Sequence, residues 1–179
     1  MKTVIWDTET TGLLKPDANH VDEQPRIIEF AGIALGDDDA IIDSYECLIN
    51  PGIPISDEIT RITGIRMDDL AHERPFISHY DNICSLFSGA GKMIAHNLSF
   101  DRAMLANELI RIDCLIKFPW PPIHLCTVEA TMNLEGVRLN LGRLYEKATG
   151  LQHEKAHRAM NDVLALYECY KWLKEQELI

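Results

Sequence analysis

Four acidic residues stand where a strand end or a helix start would present them. Asp7 and Glu9 flank Thr8 in an apolar, β-branched run that reads as a strand over residues 3–8. The two-residue period of a strand puts both carboxylates on one face and turns Trp6 and Thr8 to the other. Asp101 follows a short apolar strand that ends at His96, at the start of a helix, and Asp162 falls in the first turn of the last helix. Each has an ordinary reading by itself: a pair of solvated surface acids, or an acid favoured by a helix dipole. Together, carboxylates at the ends of separate elements can converge on one cleft at the strand ends of an α/β sheet. Such a cluster repels itself unless protons or cations neutralise it, and all-oxygen ligation selects hard ions such as Mg²⁺ or Mn²⁺.

His153-Glu154-Lys155-Ala156-His157 matches H-E-x-x-H, in which two helical histidines bind Zn²⁺ and the glutamate serves peptide hydrolysis. Here the match follows a Thr149-Gly150 helix stop and precedes the apolar stripe that begins at Ala159, which places it on a loop where the two histidines do not face together. The zinc reading is therefore disfavoured. Five residues of ideal helix turn about 500°, so His157 and Asp162 cannot share a helix face. His157 is expected on a mobile loop over residues 150–156 and just beyond it.

The elements that must position these residues show clear periods. After the Thr11-Gly12 turn, residues 14–25 form a polar stretch with two prolines and no apolar period, longer than an ordinary connection and so either disordered or functional. Residues 26–35 and 40–49 read as two strands joined at Gly36-Asp37-Asp38-Asp39, which completes an antiparallel meander. Helical spacing then begins, with Ser56 as N-cap of residues 57–62 and Gly64 as their stop. A second helix is expected over residues 75–87. Residues 92–96 form a strand, and Asn97 or Ser99 caps a helix running to about Ile112. Pro119-Trp120-Pro121-Pro122 must be a stiff, non-helical connector, followed by a strand over residues 123–126. In the last helix Ala159, Val163, Leu166, Tyr170 and Leu173 make one apolar stripe that docks on the sheet. A stripe wider than one sheet needs would also mark a homodimer face. The whole reads as one domain over residues 1–179, an α/β fold with a mixed five-stranded sheet flanked by helices.

Composition narrows the function classes. A formal charge of −11 argues against gripping nucleic acid through a broad basic surface. A protein that holds only a strand end through bound cations escapes that objection. The 5 cysteines are scattered without a C-x-x-C pair, which fits a reduced cytoplasmic compartment. No stretch approaches the ~20 apolar residues of a membrane span, and the N-terminus is too short in apolar residues for a signal peptide.

Three motifs occur in order: Trp6-Asp7-Thr8-Glu9-Thr10-Thr11-Gly12, Ala95-His96-Asn97-Leu98-Ser99-Phe100-Asp101, and His157-Arg158-Ala159-Met160-Asn161-Asp162. In them, over about Thr3 to Trp172, the chain resembles the DEDDh branch of the DnaQ-like 3′-to-5′ exonucleases. Ile27-Ile28-Glu29 and Ile62-Thr63-Gly64-Ile65 add to the likeness. The resemblance implies a ribonuclease H-like fold, with Asp7, Glu9, Asp101 and Asp162 holding two divalent cations, Mg²⁺ or Mn²⁺, and His157 as general base. An imidazole suits that task, since it ordinarily titrates at about 6.5.

The implied substrate is a single-stranded or frayed 3′ end, DNA in the first instance and RNA as the alternative, released as nucleoside 5′-monophosphates. Thr10, Thr11 and Gly12 would let backbone approach the terminal nucleotide, and Leu13 and Phe100 would pack on its base, against an ordinary reading as core residues. His96 and Asn97 take positions beside the site; the bland readings are a satisfied buried imidazole and a helix cap. Arg102, Lys155 and Arg158 are candidate phosphate contacts, or simply solvated charges. Cys126 stands where many relatives carry an acid that is not a metal ligand. A non-catalytic interaction module would be expected to have lost a ligand, and none is lost. The chain ends within about a turn of the last helix, so a free-standing nuclease without a polymerase-binding tail is expected.

Overall fold

The computed structural model describes Met1 to Ile179 apart from Lys155, with the side chains of residues 133–135 also outside the description. Strand β1 (Thr3–Thr10) lies at the centre of a five-stranded sheet and runs two residues further than the apolar run foretold. It pairs antiparallel with β2 (Ile27–Leu35), which pairs antiparallel with β3 (Ile41–Leu48). On its other side it pairs parallel with β4 (Lys92–Ala95), which pairs parallel with β5 (Ile123–Cys126). The expected meander and mixed sheet are both present. At the β2–β3 turn, Gly36 N–H donates to Ala40 O at 2.9 Å and Asp39 takes a φ of 60°.

Helix α1 (Asp57–Thr63) starts at Ser56, whose hydroxyl accepts from Ile59 N–H, and stops at Gly64 with φ 73°. A single turn, α2 (Met67–Leu70), follows. The helix expected over residues 75–87 is split: a 3-10 turn at Phe76–Ser78 precedes α3 (Tyr80–Phe87). Proline at 75 starts the segment, but the tighter turn ends at His79 before the α-helix begins. Helix α4 (Leu98–Arg111) completes the βα unit. Helices α5 (Thr127–Glu135), α6 (Leu141–Thr149) and α7 (Ala159–Glu175) complete the chain.

Alternation along β1 builds two cores. Val4 and Trp6 face α3 and α4, where the Trp6 ring meets Phe87 edge-on at 5.4 Å. Ile5 faces α6 and α7 and packs with Val163 and Leu166. Gly32 lies opposite Trp6, and a Cβ there would sit 2.6 Å from Leu86 Cδ2, so only glycine lets α3 come this close. All five stripe residues of α7 are buried within the chain, so the stripe itself is used in docking on the sheet.

Residues 14–25 are ordered. They carry a 3-10 turn at Val21–Glu23, and Arg111 Nη2 donates to the carbonyls of Val21, Gln24 and Pro25 at 2.7, 2.9 and 3.1 Å. The Gln24 side chain clasps Lys15 through both its N–H and its carbonyl. The segment closes where Thr11 and Arg26 exchange hydrogen bonds. Among the described residues, no helix is long and apolar enough to cross a membrane.

Candidate active site

The strand period delivers Asp7 and Glu9 to the α7 face of the sheet, the face of Ile5, while Thr8 points to the α4 face. There Thr8 holds Asp101: its backbone N–H and its hydroxyl both donate to Asp101 Oδ1, at 3.1 and 2.7 Å. A threonine on the core side of a strand between two acids was the available signal for this contact. Asp162 lies one turn into α7, its Oδ2 accepting from His157 N–H at 3.0 Å. His157 precedes the helix with φ 66° and an exposed side chain, off the helix as the spacing required. Glu9, His157 and Asp162 each offer an atom within 4.8 Å of the others.

The electrostatics report the same convergence. Burial first, then the charges of Asp101, Asp162, Glu9 and Glu29, push Asp7 well above the usual carboxylate range. Glu9 rises to about 8, through burial and then through Asp162, Glu29 and Asp101, with Arg158 opposing. Asp101 rises to about 7 by burial, against the bonds from Thr8. Carboxyls so crowded are satisfied by protons or by cations, and the donor chemistry, carboxylate oxygens with one imidazole at the rim, fits hard divalent ions.

A fifth carboxylate, that of Glu29, lies opposite Glu9 across the β1–β2 ladder and is buried. Sequence reasoning noted its motif without assigning it a task. It accepts from Arg158 Nε and Nη2 and from Ala159 N–H at 2.9 Å, tying the start of α7 to the sheet. Arg158, expected as a phosphate contact, has its guanidinium paired with Glu29 through Nε and Nη2 while its side chain stays half exposed. Lys155 lies outside the described residues.

The remaining candidates divide. Thr10 donates its hydroxyl to Gly12 O, and a Cβ on Gly12 would meet nothing, so open space lies before this turn. Leu13 is 80% exposed, which overturns its reading as a core residue. Phe100 is half-buried against the α4 core. His96 shares a 2.9 Å hydrogen bond with Thr127, and burial lowers it to about 4, so it is a satisfied, neutral imidazole. Asn97 stands at the N-cap of α4 with φ 68°, but its side chain makes no capping bond; its tolerance of the left-handed region explains it there. Arg102 lies over the Trp120 ring at 5.4 Å.

The H-E-x-x-H stretch has no helix among its described residues, so the zinc face is not formed. His153 instead turns back and hydrogen-bonds Asp162 Oδ1 through Nε2, while its ring packs on Tyr145.

A family model described as an exonuclease, RNase_T, matches residues 4–170. DNA polymerase III PolC-type from Clostridium perfringens is 28% identical over 169 residues, 94% of this chain and 11% of that protein. The 3′-5′ exonuclease DinG from Bacillus subtilis is 30% identical over 164 residues, 89% of this chain and 16% of that protein. The chain thus spans a small part of each relative's length. Among solved structures, the zinc-bound E. coli ExoI complex with single-stranded DNA superimposes with a TM-score of 0.78 at 22% identity, over 98% of this chain and 41% of that one. That likeness establishes the ribonuclease H-like fold.

Proposed function

Because the chain belongs to the RNase_T exonuclease family, we propose that it hydrolyses nucleic-acid strands from the 3′ end, taking single-stranded or frayed DNA and releasing nucleoside 5′-monophosphates. The observation that carries this reading is the grouping of Glu9 and Asp162 with the exposed His157 imidazole, beside the mutually repelling Asp7 and Asp101. DNA is preferred over RNA because the PolC-type relative is named as a DNA polymerase.

Asp7, Glu9, Asp101 and Asp162 would hold two divalent cations, Mg²⁺ or Mn²⁺. When bound, such a pair supplies Lewis acidity to the entering and leaving oxygens. The chain's own groups do the rest. His157 takes a proton from the attacking water as the new phosphorus–oxygen bond forms. The bond to the 3′ oxygen breaks, and that oxygen leaves with a proton from solvent. Leu13, exposed at the turn, lies against the terminal base, while the open space before Gly12 admits the nucleotide's backbone.

Digestion of 3′-labelled and 5′-labelled DNA and RNA with Mg²⁺ or Mn²⁺ tests the reading. Stepwise 3′ loss that stops with EDTA and in Asp7→Ala and His157→Ala supports it. Faster loss from RNA would move the substrate to RNA trimming, and no loss from either polymer sinks it.

A further inference from the structure

We infer that His153 is a positioning residue for Asp162, holding that carboxylate in the orientation in which it can ligate a divalent cation. The inference rests on the metal-dependent reading above and extends it to a residue outside the motifs.

A carboxylate on one side-chain bond has a broad, roughly two-fold torsional well, so Asp162 needs partners to hold it in one pose. It has two. His153 Nε2 binds Oδ1, and His157 N–H donates to Oδ2 at 3.0 Å. An ionised carboxylate offers about four acceptor directions, so two hydrogen bonds leave lone pairs free to face Glu9 and His157. Glu9 is within 4.8 Å of this group.

His153 is itself fixed from behind. Its ring packs on Tyr145 of α6 with centroids 5.5 Å apart, and its side chain is 8% exposed. Helix α6 is closed at both ends, by Asn140 accepting from Arg143 N–H and by Gly150 in the left-handed region. Thr149 then hands the chain on, donating to Tyr145 O at 2.8 Å and accepting from Leu151 N–H at 3.1 Å. Only three residues, Gly150 to Gln152, separate the end of this helix from His153. A histidine that served only to fill space would not need its Nε2 on a carboxylate of the site. Hydrogen-bonded partners behind ligating groups commonly govern metal affinity by about 10–100-fold.

The test is Mn²⁺ binding to the whole chain, read from the electron paramagnetic resonance of free Mn²⁺, with melting temperature as the check on folding. His153→Ala is expected to weaken Mn²⁺ binding by about 10–100-fold. His153→Gln, whose amide N–H can stand near the Nε2 position, should recover most of that loss. At saturating Mn²⁺ the exonuclease rates of all three proteins should converge, so that the effect lies in metal affinity. Unchanged affinity in His153→Ala overturns the inference, and so does a loss that His153→Gln fails to restore. If the wild-type chain binds no Mn²⁺, the metal-dependent function falls and this inference falls with it. Wild-type binding that is lost in Asp162→Asn shows that the failure belongs to His153 alone.

Discussion

Glu9 and Glu29 face each other across the β1–β2 ladder, and their carboxylates have opposite employment. Like charges directly opposed on a sheet destabilise it. Here Glu29 is taken by Arg158 and by Ala159 N–H, while Glu9 is left to the cleft. Glu29 therefore holds the segment carrying His157 without joining the cluster as a free acid. Glu29→Ala is expected to lower stability by about 2 kcal/mol, below the ~3–5 kcal/mol of a fully buried pair because the Arg158 side chain is half exposed. Its exonuclease rate should fall as well, since His157 adjoins Arg158. Thermal melts and single-turnover digests check both; a variant that keeps full rate would detach Glu29 from the site.

Removal of the base gives a separate signature. His157→Ala should lose about 10²–10⁴-fold in turnover while keeping its fold, because the side chain is exposed. Circular dichroism and digests at saturating Mg²⁺ distinguish this from a folding defect.

Neutralising the cluster should trade activity for stability. Asp7→Asn removes one acid from a group of like charges, so the metal-free variant should melt higher than the wild type near pH 8. The same variant should gain little from added Mn²⁺ and show no nuclease activity. A lower metal-free melting temperature at that pH would contradict the crowding described here.

The pH dependence follows in sign. Glu9 rises from 4.5 to about 8 and Asp101 from 3.8 to about 7 on folding. The folded chain thus binds more protons than the unfolded one, and stability falls as pH rises through these windows. Their contribution is complete below about pH 4 and lost as pH passes 7 to 8. Metal-free melting temperatures should decline from pH 5 to pH 8, and Mn²⁺ should restore them most at the alkaline end. A flat metal-free profile with no alkaline Mn²⁺ gain would count against the shifts.

Close packing sets another test away from the chemistry. Gly32→Ala would put a Cβ 2.6 Å from Leu86 Cδ2 and 3.3 Å from Ile5 O. Overpacking of this kind typically costs about 1–3 kcal/mol, to be read by denaturant titration.

Most of the frame was legible because it follows period and spacing, while the residues expected at the cleft came from the resemblance that the three motifs carry. The β1 alternation, the Ser56 and Gly64 caps and the α7 stripe are local properties that tertiary contacts did not override. The partnerships were not legible. Nothing in the spacing of Glu29 and Arg158, 129 residues apart, announces their bidentate pairing. His153 was visible only as half of a zinc motif, because its bond to Asp162 depends on how a non-helical segment turns back. For Leu13 the ordinary reading as core rested on large apolar residues being mostly buried; only the path of the turn shows its exposure.

Arg111 has a consequence for how this chain can vary. Its guanidinium grips three main-chain carbonyls of residues 21–25 and adds one longer side-chain contact, from Nε to the Asp22 carboxylate at 4.0 Å. Carbonyls are the same whatever residue bears them, so that part of the grip tolerates side-chain changes, whereas Asp22 and the Gln24 side chain that clasps Lys15 hold through their identity. The segment is thus fastened chiefly through atoms that every residue shares, which leaves most of its side chains free to change.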